Sequence, residues 1–129
     1  MKIRSQRRPR VLIVEDEQPL RELVAVTLGD AFDCEEVADG ETALVRLRAE
    51  VPELVVLDAM LPGRTGLDVL REMRADPRLK AVPVVVLSAW QQPQDVDAAL
   101  AAGADRFLGK PFRVEELTSV ALSLIGRSA

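Results

Sequence analysis

Histidine and tyrosine do not occur among the 129 residues of this chain, and cysteine and tryptophan each occur once. With no second thiol, Cys34 has no partner for an internal disulfide, and with no imidazole a zinc site is nearly excluded. No stretch approaches the roughly 18 apolar residues of a membrane span, because charged residues interrupt the hydrophobic 48% throughout. The first apolar run, VLIV at 11–14, is far short of the roughly seven residues of a signal-peptide core, so a cytoplasmic location is expected. Only Phe32, Trp90, Phe107 and Phe112 are aromatic, which offers no stacking platform for nucleic acid. What remains is a chain of one-domain length, large enough to bury roughly two thirds of its unfolded surface without a covalent staple.

Charge is unevenly placed. Lys2, Arg4, Arg7, Arg8 and Arg10 fall in the first ten positions with no acid among them, while all 21 acidic residues lie beyond. Residues 1–8 are expected to be a basic extension without fixed structure, and residues 9–126 the folded domain. The acidic body argues against direct binding of nucleic acid by this domain.

Past the extension, short aliphatic runs alternate with amphipathic segments, which predicts a doubly wound α/β sheet. Strands are expected at 10–15, 35–38, 54–57, 82–87 and 106–109. Between and after them lie five predicted helices. The first, 19–28, places Leu20, Leu23, Val24 and Leu28 on one face; the second turns Ala43, Leu44 and Leu47 inward; the third, 67–74, repeats Leu67, Leu70 and Met73. The fourth, 91–102, is alanine-rich and stops at Gly103, and the fifth, 114–125, aligns Leu117, Val120, Ala121 and Leu124. Thr65, three residues before Asp68, is placed to cap the third helix.

Polar residues follow four of the aliphatic runs: Glu15 and Asp16, then Asp58, Ser88 and Lys110. Each has a plainer role alone, since Glu15 or Asp16 suits a helix N-cap, Asp58 a loop cap, Ser88 a turn, and Lys110 a solvated surface. Together they sit where open parallel sheets bind ligands, at the carboxyl ends of strands. Asp58, with Pro62 and Gly63 in the loop behind it, is the nucleophile candidate. Three neighbouring carboxylates repel one another unless a cation compensates, and all-oxygen ligands suit a hard ion, Mg2+. The Lys110 ammonium and the Ser88 hydroxyl match the oxygens of a phosphoryl group.

In order along the chain, VLIVEDE, VVLDAMLPG, VPVVVLSAW and GADRFLGKPF resemble the motifs of response regulator receiver domains, the phosphoacceptors of two-component signalling. The likeness covers residues 9–126 and implies a flavodoxin-like five-stranded parallel sheet of order 2-1-3-4-5 with five helices. By that resemblance Asp58 accepts phosphate from a sensor histidine kinase or histidine phosphotransfer protein. Glu15, Asp16, Asp58 and the Met60 backbone carbonyl hold Mg2+, and Ser88 and Lys110 contact the phosphoryl group. No cofactor beyond the metal is implied. Ser88 and Phe107 are the expected switch pair, altering the surface of the fourth helix, fifth strand and fifth helix, through which an effector or a second copy docks. The Lys110–Pro111 bond is cis in that family. The protein would be a signalling domain rather than an enzyme, with intrinsic autophosphorylation and autodephosphorylation at Asp58.

Met60, Ala89, Trp90 and Pro111 flank the expected site, and the bulk of Met60 and Trp90 predicts slow loss of phosphate. Phe107 replaces the commoner tyrosine, so no phenolic hydrogen bond holds an outward state. Thr65 stands where the family more often has aspartate. Lacking histidine, the chain cannot be its own phosphohistidine donor. Only four residues follow Ile125, so either a single-domain regulator or the receiver of a longer chain is expected. Two other classes compete. A haloacid-dehalogenase-like phosphohydrolase would carry Asp-x-Asp where this chain has Asp58-Ala59-Met60, and a nucleotide or flavin module fails at Gly103 to Lys110, where five residues rather than four separate the glycines and proline follows the lysine.

Overall fold

The computed structural model describes residues 7–128, with side chains through Gly126. Five strands and five helices alternate without exception: β1 Arg10–Val14, α1 Gln18–Leu28, β2 Asp33–Val37, α2 Gly40–Ala49, β3 Leu54–Asp58, α3 Gly66–Ala75, β4 Val84–Ser88, α4 Pro93–Ala102, β5 Arg106–Gly109 and α5 Val114–Ser128. The strands form one parallel sheet in the order β2-β1-β3-β4-β5, with the two halves winding outward from β1 and β3. This is the flavodoxin-like doubly wound architecture.

The aliphatic runs explain the layering. Successive strand residues point to opposite faces, so a strand covered on both sides must be apolar at every position. Leu12, Val14, Val55, Leu57, Val84 and Val86 enter one buried cluster with α2, α3 and α4, while Val11, Ile13, Leu54, Val56, Val85 and Leu87 enter the other with α1 and α5. Leu70 and Met73 of α3 and Leu117 of α5 are fully buried, each worth roughly 1.5–3 kcal/mol of transfer free energy.

Helix ends follow their sequence signals. Thr65 accepts from the Asp68 N–H while the Asp68 carboxylate accepts from the Thr65 N–H, a reciprocal capping box. Gly103 closes α4 in the left-handed region at φ 115°.

Several boundaries differ from the sequence expectation. Leu23 does not join Val24 and Leu28 in the core but is about half exposed, at 47%, because the buried stripe of α1 is only one residue wide per turn. The fourth strand begins at Val84 rather than Val82: the Val82 N–H bonds back to the Leu79 carbonyl in a turn, and Pro83 has no N–H to give. Edge strand β2 starts at Asp33, whose N–H donates to the Pro9 carbonyl. Of the expected N-terminal extension, residues 1–6 lie outside the described residues; Arg8 donates to the Gly29 carbonyl and Arg7 faces Glu53 at 3.9 Å. Among the described residues, no helix is long and apolar enough to cross a membrane.

Candidate functional site

The carboxyl ends of β1, β3, β4 and β5 converge on one edge of the sheet, and each ends on or beside a polar residue. Asp58 is the last residue of β3, in register with Leu87, and Ser88 is the last of β4, in register with Gly109. Glu15 directly follows β1, anchored by its N–H to the Val37 carbonyl at 3.1 Å. Among the described residues, the buried polar or charged ones are Glu15, Asp58 and Ser88. Burying a charge is costly unless it is paired and hydrogen-bonded. All three occupy the same strand-end edge.

Lys110 is what compensates them. Its Nζ donates to Glu15 Oε1 and to Asp58 Oδ2, both at 3.1 Å, bridging carboxylates that come from different strands. The other oxygen of each carboxylate takes a backbone donor: Asp58 Oδ1 accepts from the Met60 N–H at 2.9 Å, and Glu15 Oε2 from the Glu17 N–H at 3.0 Å. Burial, reinforced by the Asp58 charge, pushes Glu15 up to about 7, against the pull of the Glu17 N–H and Lys110. Burial opposes the charged form of Lys110 as well, yet its hydrogen bonds to Glu15 and Asp58 and their charges hold the ammonium above its ordinary pKa.

Asp16 stands at the solvent-facing side of the same group. Glu15, Asp16 and Asp58 each offer a carboxylate oxygen within 4.8 Å of the others, two from buried residues and one from an exposed residue. An all-oxygen, anionic set that opens to water on one side fits a small hard divalent cation. Neither Glu15 nor Asp16 caps α1, whose N-cap is Glu17.

The Ser88 Oγ accepts from the Trp90 N–H at 3.0 Å, which folds the loop after β4 into a turn over the hydroxyl. Beside it lies an apolar cavity of about 400 Å³ lined by Met60, Leu67, Ser88, Trp90, Ala99 and Phe107, among others. Phe107 is half-buried and packs against the core cluster beneath α3 and α4. Ala89 and Pro111 line a separate groove with Lys110, Leu20, Leu23 and Phe112, and the Lys110–Pro111 bond is cis.

Two residues that sequence reasoning passed over take part in this geometry. Gly66, the first residue of α3, lies so close to β3 that an added Cβ would stand 2.0 Å from the Asp58 carbonyl oxygen. A glycine immediately after an N-cap threonine was its signal. Gln91 donates through Nε2 to the Lys110 carbonyl at 2.7 Å, and nothing in its sequence context marked it.

The sequence model described as the response regulator receiver domain matches residues 11–122. The DNA-binding response regulator MtrA of Mycobacterium tuberculosis is 42% identical over 113 residues, covering 87% of this chain and 48% of MtrA. The phosphate regulon transcriptional regulatory protein PhoB of Escherichia coli is 36% identical over 111 residues, covering 85% of this chain and 48% of PhoB. The chain thus spans about half the length of these curated relatives. Among solved structures, a response regulator from Chloroflexus aurantiacus superposes with a TM-score of 0.89 at 28% identity, covering 93% of this chain and 99% of that one. The receiver domain of the Pseudomonas aeruginosa sensor histidine kinase PA1611, with a magnesium ion coordinated in its active-site cleft, superposes with a TM-score of 0.85 at 28% identity, covering 92% and 98%. Sequence model, relatives and fold agree from the first strand into the last helix, and the chain belongs to the response regulator receiver domains of two-component signalling.

Proposed function

We propose that residues 9–126 form a phosphorylation-dependent switch in which Asp58 is the phosphoacceptor and residues 1–8 are an accessory basic extension. The observation that carries this reading is the confinement of buried polarity, among the described residues, to Glu15, Asp58 and Ser88, with the Lys110 ammonium 3.1 Å from both carboxylates. A fold does not keep such groups at one strand-end edge for stability, because apolar residues of similar volume would cost less there.

In the proposed reaction, an Asp58 carboxylate oxygen attacks the phosphorus of a phosphohistidine on a sensor histidine kinase or phosphotransfer protein. The P–O bond forms as the P–N bond breaks, and the electron pair returns to the departing imidazole, which leaves neutral because its other ring nitrogen already carries a proton. Lys110 neutralises phosphoryl oxygens, and Ser88, turning its hydroxyl from the loop, donates to another. Glu15, Asp16, Asp58 and the Met60 carbonyl would hold Mg2+. Bound there, magnesium supplies positive charge to the transferring phosphoryl oxygens and relieves repulsion among the carboxylates. Hydrolysis of the acyl phosphate by water restores the carboxylate and releases inorganic phosphate, so the domain resets itself without being a classical enzyme.

Output follows from the coupling of Ser88 to Phe107. Both line the same cavity under α4, so movement of the hydroxyl toward a phosphoryl group changes the space open to the ring. The α4, β5 and α5 surface then presents a different face to an effector or a second copy of the chain, in the cytoplasm. Mass spectrometry after treatment with a small acyl phosphate and Mg2+ tests the reading: one phosphoryl group on Asp58 is expected, lost in Asp58→Asn. Undiminished uptake by that variant would sink it.

A further inference from the structure

We infer that Gln91 is a positioning residue for Lys110, locking the main chain that carries the ammonium to the loop that follows Ser88. The inference rests on the proposed role of Asp58 as phosphoacceptor.

Lysine is a point charge on a long flexible stem, so where its amine sits depends on how firmly its main chain is held. At Lys110 the main chain is gripped on both sides, by the last residue of β4 and by the loop that follows it. Its N–H donates to the Ser88 carbonyl at 2.8 Å, and its C=O accepts from Gln91 Nε2 at 2.7 Å. The first bond continues the ladder between β4 and β5. The second is made by a side chain beyond the end of β4, where the ladder has stopped. The same loop folds back on Ser88 through the Trp90 N–H at 3.0 Å, so hydroxyl and ammonium belong to one hydrogen-bonded unit.

Gly109 supports the same assignment independently. A Cβ there would lie 2.1 Å from Gln91 Oε1 and 2.2 Å from its Cδ, so the amide lies flat on the strand only because the residue before Lys110 is glycine. Gly109 does not have positive φ, so its backbone does not itself demand glycine. Gly109→Ala should therefore displace the Gln91 side chain, whose far end is free to swing, rather than distort the strand.

Phosphorylation rates of the full chain at Asp58, measured with a small acyl phosphate over a range of donor concentrations at saturating Mg2+, test this. Gln91→Glu keeps the shape and removes the donor, while Gln91→Asn is one methylene too short to reach. Each should lower the limiting rate between about twofold and about tenfold, the range of one hydrogen bond, with the half-saturating donor concentration and the Mg2+ affinity unchanged. The Mg2+ affinity is read from Trp90 fluorescence. Gly109→Ala should reproduce the loss, and combined with Gln91→Glu it should add nothing further, since both break one contact. Parent-like limiting rates in Gln91→Glu and Gln91→Asn, additive losses in the double variant, or a loss confined to donor or metal affinity would each overturn the inference. Failure of the parent to acquire phosphate at Asp58 would instead overturn the reading beneath it.

Discussion

Gly66 and Asp58 are in contact through backbone alone: the hydrogen that Gly66 carries in place of a side chain faces the Asp58 carbonyl oxygen, and a Cβ would sit 2.0 Å from it. The Gly66 N–H also donates to the Ala59 carbonyl at 3.1 Å, so the start of α3 is joined to the residue after the carboxylate. Backbone cannot swing aside as a side chain can. Gly66→Ala is therefore expected to push α3 away from β3 at a cost of about 1–3 kcal/mol, the usual penalty for overpacking. It should also slow phosphorylation of Asp58 by displacing Ala59 and Met60. Urea unfolding and phosphorylation rates measured on the same variant check both effects; an unchanged unfolding midpoint would refute the first.

How far such relationships were legible in the sequence depends on what they are made of. The strands β1, β3 and β4 were readable because burial on both faces forces unbroken aliphatic runs, and the site followed because Glu15, Asp16, Asp58, Ser88 and Lys110 sit where those runs stop. Leu23 misled because helical spacing predicts a face but not how wide the covered part of that face is. The fourth strand starts at Val84, later than the hydrophobic pattern suggested, because Pro83, an apolar residue without an N–H, still looks like a strand residue. Gly66 and Gln91 were passed over because a close backbone approach and a single long-range amide contact leave no periodic mark.

Arg74 belongs with those hidden relationships. Its guanidinium donates to the Gly103 carbonyl at 2.8 and 3.0 Å, the Val82 carbonyl at 2.8 Å and the Lys80 carbonyl at 3.1 Å, and pairs with Asp105 at 3.1 Å. One side chain of α3 thus satisfies the C-terminal end of α4 and the turn that leads into β4. Arg74→Ala leaves those carbonyls short of partners and should cost about 2–3 kcal/mol in urea unfolding, with hydrogen bonds to charged groups as the scale. Arg74→Lys should recover only part of this, because an ammonium cannot span carbonyls arranged for a planar fork. Equal stability of the lysine variant and the parent would contradict the assignment.

Cys34 gives a pH-dependent readout away from the site. Burial, with the charges of Asp33 and Glu36 adding to it and Arg8 opposing, pushes the thiol from its ordinary 9.0 up to about 11. Because the folded value is the higher one, the stabilisation it represents is complete below pH 9 and is lost as pH rises through about 11. At pH 8 the folded protein should carry about a hundredfold less thiolate than the unfolded chain. Alkylation by iodoacetamide should therefore be slow in buffer and fast in urea, with half-maximal rate near pH 11 only when folded. A folded-state profile centred near pH 9 would show that the thiol is not shielded.

Lys110 and a divalent cation answer to the same negative charge. With its Nζ 3.1 Å from both Glu15 and Asp58, Lys110 offsets part of the attraction that the carboxylates offer to Mg2+. Lys110→Ala is expected to bind Mg2+ more tightly, by about fivefold for a partly screened charge worth about 1 kcal/mol. On the proposed reading it should nevertheless accept a phosphoryl group more slowly, since the ammonium that would face the phosphoryl oxygens is gone. Metal affinity from Trp90 fluorescence and phosphorylation by mass spectrometry must move in opposite directions; parallel losses would mean that the lysine only holds the fold together.

Trp90 and Met60 line the cavity that also contains Ser88, and their exposures, 58% and 42%, leave each side chain partly open to solvent. On the proposed reading, side chains so placed restrict the approach of water to a phosphoryl group on Asp58 while contributing little to stability. On the same reading, water hydrolyses the acyl phosphate by approaching the phosphorus opposite the Asp58 oxygen, so bulk over that approach slows it. Trp90→Ala should shorten the acyl-phosphate lifetime severalfold and leave the unfolding midpoint nearly unchanged, and Met60→Ala should act in the same direction with a smaller effect. Radiolabelled phosphate loss at fixed Mg2+ and pH measures this directly. A lifetime equal to that of the parent in Trp90→Ala would assign the indole to packing alone.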